Sequence, residues 1–539
     1  MFPTMPFNRK RYWITAPGLG EATPPASLEA PAPAPEAPRE PSGGAVEGGT
    51  HLRYEHPVWE PEPLGTADLP VRVVLIASAD AAVTAALVEQ LGARGIRHIV
   101  APSGRGGPDR IEELAGRGEL PDAVVHLAAG HLDWSAPATD VDDAFRTVFG
   151  LAVDVLSRGA RVPLRLLCAR VGGDGREQPH LVAMAGLLRT LGQERSCTGV
   201  CVALEPESPA VLATRLVGEL CGGRDVEVAY RDGVRVARRM ARFEPPPAAT
   251  GWVSADGAYV ITGGAGALGL HFAGLLAERG AGEVLLVGRS ELDAATAARV
   301  ATLGRGSRRV RYERADVARS ADVERLVGQV RDGGRPLRGI IHAAGVIRDA
   351  PALAKTHAQI TEVFAPKIAG TLNLDRATVG EPLDFFVLFS SVVGQTGNRG
   401  QADYAYANAF LDAFAETRER WRMQGRRRGK SLAIGWPLWR EGGMRVDDAT
   451  AERLRRRWGM VPMSTRSGLA AFEALLAGFR PAVLVVETLV EDGPDIPPSS
   501  ALPPPLVAAP SAATSLPPTG PAAPAGPALA GCPSVLEGL

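Results

Sequence analysis

Apolar and polar positions divide the chain into two stretches of alternating strand and helix patterns. In the first, VRVVLI (72–77), HIVAP (98–102), DAVVHLAA (122–129), PLRLLCARV (163–171) and GVCVALE (199–205) are apolar runs suited to buried parallel strands. In the second, AYVIT (258–262), EVLLVG (283–288), RVRYERA (309–315), GIIHAAG (339–345), LDFFVLFSS (383–391), SLAIGWP (431–437) and AVLVVE (482–487) play the same part. Helical patterns lie between the runs, and FEPPPAATGWVSADG near residues 244–256 breaks the rhythm. Right-handed crossovers then predict an α/β fold with two Rossmann-like, doubly wound parallel sheets.

The two stretches also resemble each other. AFRTVFGLAVDVL (144–156) mirrors ITEVFAPKIAGTLNL (360–374), PLRLLCARV (163–171) mirrors LDFFVLFSSV (383–392), and PHLVAMAGLLRTLGQE (179–194) mirrors YAYANAFLDAFAETRE (404–419). In this register Ala152 stands where Lys367 stands, and Ala169 where Ser391 stands. The first half has no glycine-rich loop after its first strand and no tyrosine between Tyr54 and Tyr230. It is expected to be a truncated, cofactor-free structural unit.

Composition changes the picture at the ends. Residues 16–50 and 491–539 are rich in Pro, Ala and Gly, a linker composition that cannot bury enough surface to fold alone. The expected organisation is a lead segment 1–52, a structural unit 53–250, a catalytic unit 251–490 and a linker 491–539. The opening MFPTMPFNRKRYWI reads as the interior of a longer chain and lacks the apolar core of a signal peptide. No run of eighteen apolar residues predicts a membrane span, and the expected location is the cytoplasm. A net charge of −1 over 539 residues argues against a whole-protein nucleic-acid or membrane-surface role. Five cysteines show no metal-ligand spacing, so no metal is expected. The basic stretches 418–430 and 453–458 are expected to be solvated helix faces.

The candidate chemistry lies in the second half. TGGAGALG follows a strand and opens a helix, the setting in which glycines let a pyrophosphate approach the backbone. Thr262, Gly263, Gly264, Gly266, Leu268 and Gly269 are its candidate cofactor residues. The next strand ends in Arg289 and Ser290 where a carboxylate would select NADH, and an arginine there suits the 2′-phosphate of NADPH. Asp316 and Val317 follow the third strand, at the adenine edge, and His342, Ala343, Ala344 and Gly345 end the fourth, beside the ribose.

Ser391 ends the fifth strand, Tyr404 follows thirteen residues later, and Asn408 shares the helix face of Tyr404. Lys367 lies on the preceding helix. Reducing a carbonyl needs a hydride at carbon and a proton at oxygen. Tyr404 is the expected proton donor and Lys367 its electrostatic tuner. Ser391 is expected to hydrogen-bond the carbonyl oxygen, and Asn408 to hold Lys367 or a relay water.

TGGAGALG, VGRS, HAAGVIRD, APKIAGTLNL, FSSVVGQTGNRGQADYAYANAFLDAF and GWPLWREGGM together resemble the ketoreductase domains of modular type I polyketide synthases, within the short-chain dehydrogenase/reductase superfamily. The likeness covers about residues 53–490 and extends to the first half, which looks like the family's structural subdomain; YEHPVWEPEPL (54–64) looks like its opening strand. The lysine upstream at 367, with Asn408 where most of the superfamily has lysine, is the placement this family shows. GNRGQADYAYANAF and GWPLWREGGM look like modules lacking their own acyltransferase. The resemblance implies a β-ketoacyl chain, carried as a phosphopantetheine thioester on an acyl carrier protein, reduced within a larger synthase. Ile347-Arg348-Asp349 stands where B-type domains carry Leu-Asp-Asp, and Thr396 where A-type domains carry Trp, so Asp349 implies a B-type, D-configured alcohol. The alternatives are a free-standing dehydrogenase of a small alcohol, and a reductase-inactive scaffold that docks or epimerises carrier-bound chains.

Overall fold

The computed structural model describes residues 49–489, apart from 66–69, 102–106, 129–138, 160–162, 173–177, 196, 249, 305–308, 444–450, 453–454 and 457–458. The predicted tail, nearly all of the lead segment and part of the second basic stretch lie outside the described residues.

All twelve apolar runs form strands. The first half contains β1 (His51–Pro61), β2 (Val73–Ser78), β3 (Arg97–Ala101), β4 (Ala123–Ala128), β5 (Leu164–Val171), β6 (Cys197–Leu204), β7 (Glu227–Arg231) and β8 (Val234–Phe243). The second contains β9 (Ala258–Thr262), β10 (Glu283–Gly288), β11 (Val310–Arg314), β12 (Leu337–His342), β13 (Phe385–Ser391), β14 (Lys430–Trp436), β15 (Met460–Val461) and β16 (Ala482–Thr488). β7 and β8 form a hairpin absent from the sequence reading. Its signal was the Asp232-Gly233 pair, whose φ values of 47° and 79° are those a two-residue hairpin turn requires.

The two Rossmann-like halves share one continuous sheet, in the order β11-β10-β9-β12-β13-β14-β16-β1-β8-β7-β6-β5-β4-β2-β3. The join is β1. Its residues His51–Glu55 pair antiparallel with β16, and Tyr54–Pro61 pair antiparallel with β8. One strand thus satisfies the backbone edges that both sheets would otherwise expose. β13 is buried along its whole length, as a run covered on both faces requires.

The mirrored helices of the two halves pack on one another. A side chain at Gly186, in the helix Met184–Glu194, would lie 2.5 Å from the Ala405 carbonyl oxygen of the helix Ala402–Met423. Tyr406 then donates its hydroxyl hydrogen to the His180 carbonyl at 3.0 Å, and its ring meets Phe145 at 4.8 Å. The helix that carries Tyr404 is therefore seated on the first half.

The basic stretch 418–430 departs from its expectation. Arg418 is fully buried, pairs with Asp375 at 2.8 Å and donates to the Ser431 hydroxyl at 3.0 Å. Arg427 reaches the other oxygen of Asp375, also at 2.8 Å. Part of this charge holds the core together instead of facing water, because Asp375 lies on a neighbouring helix that the linear pattern does not reveal.

Candidate active site

β9 ends at Thr262 and the chain turns directly into the helix Ala267–Glu278. Gly263 makes the turn with φ 66°, and a Cβ there would lie 2.8 Å from the Ala343 carbonyl oxygen. A Cβ on Gly269 would lie 2.6 Å from the Gly263 carbonyl oxygen, so the first helical turn rests directly on the loop. At Gly264 it would meet the side chain of Leu286, while Leu268 packs partly buried against the apolar cluster behind the loop. Gly266 is the N-cap and offers no side chain to the helix's first amides. These N–H groups and the dipole they carry are what an anionic diphosphate needs.

Arg289 and Ser290 are exposed at the end of β10. The Arg289 guanidinium has no partner among the described residues, while its carbonyl accepts from Arg314 Nε at 3.0 Å. Asp316 Oδ1 accepts from the Ala318 amide at 3.0 Å, and Val317 is buried with its carbonyl bound to Asn373 Nδ2 at 2.9 Å.

Thr262 and His342 face inward. His342 Nε2 donates to the Pro366 carbonyl at 3.0 Å, since that oxygen can only accept. His342 Nδ1 must then accept from the Thr262 hydroxyl at 2.6 Å, and the Thr262 oxygen in turn accepts from the Ala344 amide at 3.3 Å. Burial, helped by the Lys367 charge, pushes His342 down to about 3, so it stays neutral. The pair ties the phosphate loop to the segment bearing Lys367.

That segment, Ala365–Ala369, is a single π-turn between the helices His357–Phe364 and Gly370–Ala377. Pro366 lacks an N–H and crowds the preceding turn, which gives way by widening. Lys367 emerges from it buried. Its Nζ donates to the Phe389 carbonyl at 3.0 Å and stands 5.5 Å from the centre of the Tyr404 ring. Gly345 makes room for it: a Cβ there would lie 3.0 Å from Lys367 Cε. Burial lowers the Lys367 ammonium to about 8, against the opposing charge of Asp412.

Ser391 caps the short helix Val392–Thr396, its Oγ accepting from the Val393 amide at 3.3 Å. Its side chain also interacts with the Tyr404 hydroxyl. Burial raises the Tyr404 phenol, with the Ser391 and Asn408 side chains working against that rise. Burial sets the direction of the phenol's shift, and Lys367 is not among the groups that lower it. Asn408 Nδ2 donates to the Tyr404 carbonyl at 2.7 Å, leaving its buried Oδ1 without a protein partner. Ser391, Tyr404, Asn408 and Lys367 thus converge beside the carboxyl ends of β12 and β13, where doubly wound sheets bind ligands.

Asp349 enters from the loop after β12 and accepts from Gln401 Nε2 at 2.9 Å. Arg348 turns away to pair with Glu362. Sequence reading missed a buried ion pair beneath this loop. Lys355 Nζ meets Asp403 Oδ1 at 2.7 Å and donates to the Arg348 carbonyl at 2.6 Å. The same Asp403 oxygen accepts from the Tyr404 amide at 2.8 Å. The only hint was an acidic residue in the first turn of the tyrosine's helix.

Fold and site arrangement resemble those of the short-chain dehydrogenase/reductase type. Residues 257–441 match the family model described as KR domain. Polyketide synthase PksL of Bacillus subtilis is 37% identical over 321 residues, 58% of this chain and 7% of that protein. Polyketide synthase ThaG of Burkholderia thailandensis is 40% identical over 304 residues, 54% of this chain and 5% of that protein. The chain therefore spans a small fraction of these relatives. A crystal structure of a ketoreductase domain from the bacillaene assembly line aligns with TM-score 0.68 at 29% identity, covering 82% of this chain and 98% of that one. An N-terminal ketoreductase from the macrolactin assembly line aligns with TM-score 0.71 at 27% identity, covering 81% and 92%. The chain is thus similar, over its catalytic half and in its overall fold, to ketoreductase domains from polyketide assembly lines. Structures of A-type and C2-type ketoreductases align as well, so the fold itself does not discriminate between types.

Proposed function

We propose that this chain uses NADPH to reduce a β-ketoacyl thioester, presented on the phosphopantetheine of an acyl carrier protein, to a D-configured β-hydroxyacyl thioester. The observation that carries the reading is the convergence of Ser391, Tyr404, Asn408 and Lys367 at the strand ends next to the glycine loop. The loop fits a dinucleotide diphosphate because only glycines at 263, 264 and 269 let it pack tightly on Ala343, Leu286 and the helix start, where unpaired amides can meet an anion. Thr262, Gly263, Gly264, Gly266, Leu268 and Gly269 would form this cradle. Arg289 and Ser290 would hold the 2′-phosphate, Asp316 and Val317 would border the adenine, and His342–Gly345 would frame the ribose.

When bound, the reduced nicotinamide supplies the hydride. Ser391 donates its O–H to the ketone oxygen as negative charge grows there. Tyr404, held as a neutral phenol by burial, gives its proton to that oxygen. The Lys367 ammonium stabilises the phenolate left behind, and the open Asn408 Oδ1 can seat the water that returns a proton. Asp349, fixed by Gln401, borders the approach and supports the B-type assignment.

The test is oxidation of NADPH by the purified chain with a diketide thioester, followed by chiral separation of the alcohol. Turnover with an excess of the D-alcohol supports the proposal. An L-alcohol overturns the type, and no turnover from folded protein overturns the activity. The reductase-inactive reading is not favoured, since the glycine loop and Tyr404 are intact.

A further inference from the structure

The helix Met184–Glu194 belongs to the half without the glycine loop, yet its last turn holds the walls of the active site. Glu194 Oε1 accepts from the Gly400 amide at 2.8 Å, and Oε2 accepts from the Ala352 amide at 2.6 Å. These amides lie on different loops. One, residues 397–401, leads into Tyr404. The other, residues 345–352, carries Asp349. The loops also meet directly, the Ala350 amide donating to the Gly400 carbonyl at 3.0 Å and Gln401 to Asp349 at 2.9 Å.

Glu194 is badly placed for stability alone. A carboxylate at the carboxyl end of a helix opposes the helix dipole, and no cation pairs with it among the described residues. Each oxygen is instead used on a backbone amide of the other half. Its neighbour Gln193 reinforces the hold, Nε2 donating to the Thr396 carbonyl at 2.8 Å.

We propose that Glu194 is a positioning residue through which the first half sets the spacing of the two loops flanking Asp349 and Tyr404, and thereby the orientation of the β-ketoacyl chain. This rests on the reductase reading above. Glu194 touches neither the glycine loop nor Arg289, so its influence falls on the acyl chain and spares the cofactor. Glu194→Gln is the informative change: its amide keeps one acceptor for one N–H and turns an N–H₂ toward the other. Glu194→Asp keeps the charge but lacks the reach to span both loops.

The experiment compares wild type with E194Q and E194D by thioester KM, kcat, NADPH Kd from fluorescence, and the ratio of the two alcohols. Misplacement on this scale is expected to lower kcat/KM for the thioester about tenfold or more and to enrich the minor alcohol, with NADPH Kd unchanged. An unchanged KM and alcohol ratio in folded E194Q overturns the proposal, as does an equal loss of NADPH affinity. Hydrogen exchange at the Gly400 and Ala352 amides reads the clamp without turnover. Faster exchange in E194Q supports it, and unchanged protection overturns it. A wild-type chain that does not oxidise NADPH would instead count against the reductase reading.

Discussion

Lys367 stands over the ring of Tyr404, its Nζ 5.5 Å from the ring centre, while it donates to the carbonyl of Phe389. The charge is buried and near the phenol without a carboxylate partner in hydrogen-bond contact. That arrangement trades stability for chemistry.

Two pH effects of opposite sign follow from Lys367. Its folded value of about 8 lies below the ordinary 10.5, so between these values the unfolded chain binds more protons. Stability from this group is therefore expected to rise as pH climbs from about 8 toward 10.5. Turnover is expected to fall over the same window as the ammonium is lost. In Lys367→Met the rate should drop about 10²–10⁴-fold with no loss of thermal stability, because an apolar chain replaces an unpaired buried charge. A pH series of rates and melting temperatures on both proteins checks this.

Arg289 is expected to decide the cofactor. Removing a charge-assisted contact to a phosphate costs about 1.5–3 kcal/mol, or roughly 10–100-fold in affinity. Arg289→Ala should weaken NADPH by that factor and leave NADH nearly unchanged. Titration of both cofactors by fluorescence measures the ratio.

Gly263→Ala tests the loop. The left-handed turn costs an L-residue about 1–2 kcal/mol, and the new methyl would also press on the Ala343 carbonyl oxygen at 2.8 Å. Loss of cofactor binding is expected together with a lower melting temperature. Calorimetry and NADPH titration of the same preparation report both.

Asp375 holds two arginines, Arg418 and Arg427, and Arg418 is wholly buried. Asp375→Ala would leave that guanidinium uncompensated, at a cost of about 3–5 kcal/mol. Urea unfolding should show the loss, whereas Glu452→Ala, which breaks only exposed pairs with Arg455 and Arg456, should leave the unfolding midpoint nearly unchanged.

By itself the sequence determined twelve of the sixteen strands among the described residues and the positions of the candidate site residues along them. Most of the parallel strands are buried apolar runs, so they were visible, and a phosphate-binding turn needs glycines at fixed spacing, so residues 262–269 were visible too. Arg289, Tyr404, Ser391 and Lys367 could be named because a strand end or a helix face places a residue by its position alone. Only the tertiary structure decided what depends on contacts between distant segments. It joined two sheets through β1, turned Thr262 and His342 inward to brace the lysine segment, buried Arg418 against Asp375, and set Lys355 against Asp403 under the tyrosine helix. Glu194 is the sharpest case. In the sequence it is one acidic residue ending a helix of the apparently silent half. Its hydrogen-bond partners lie 158 and 206 positions further on, a separation that no local pattern encodes.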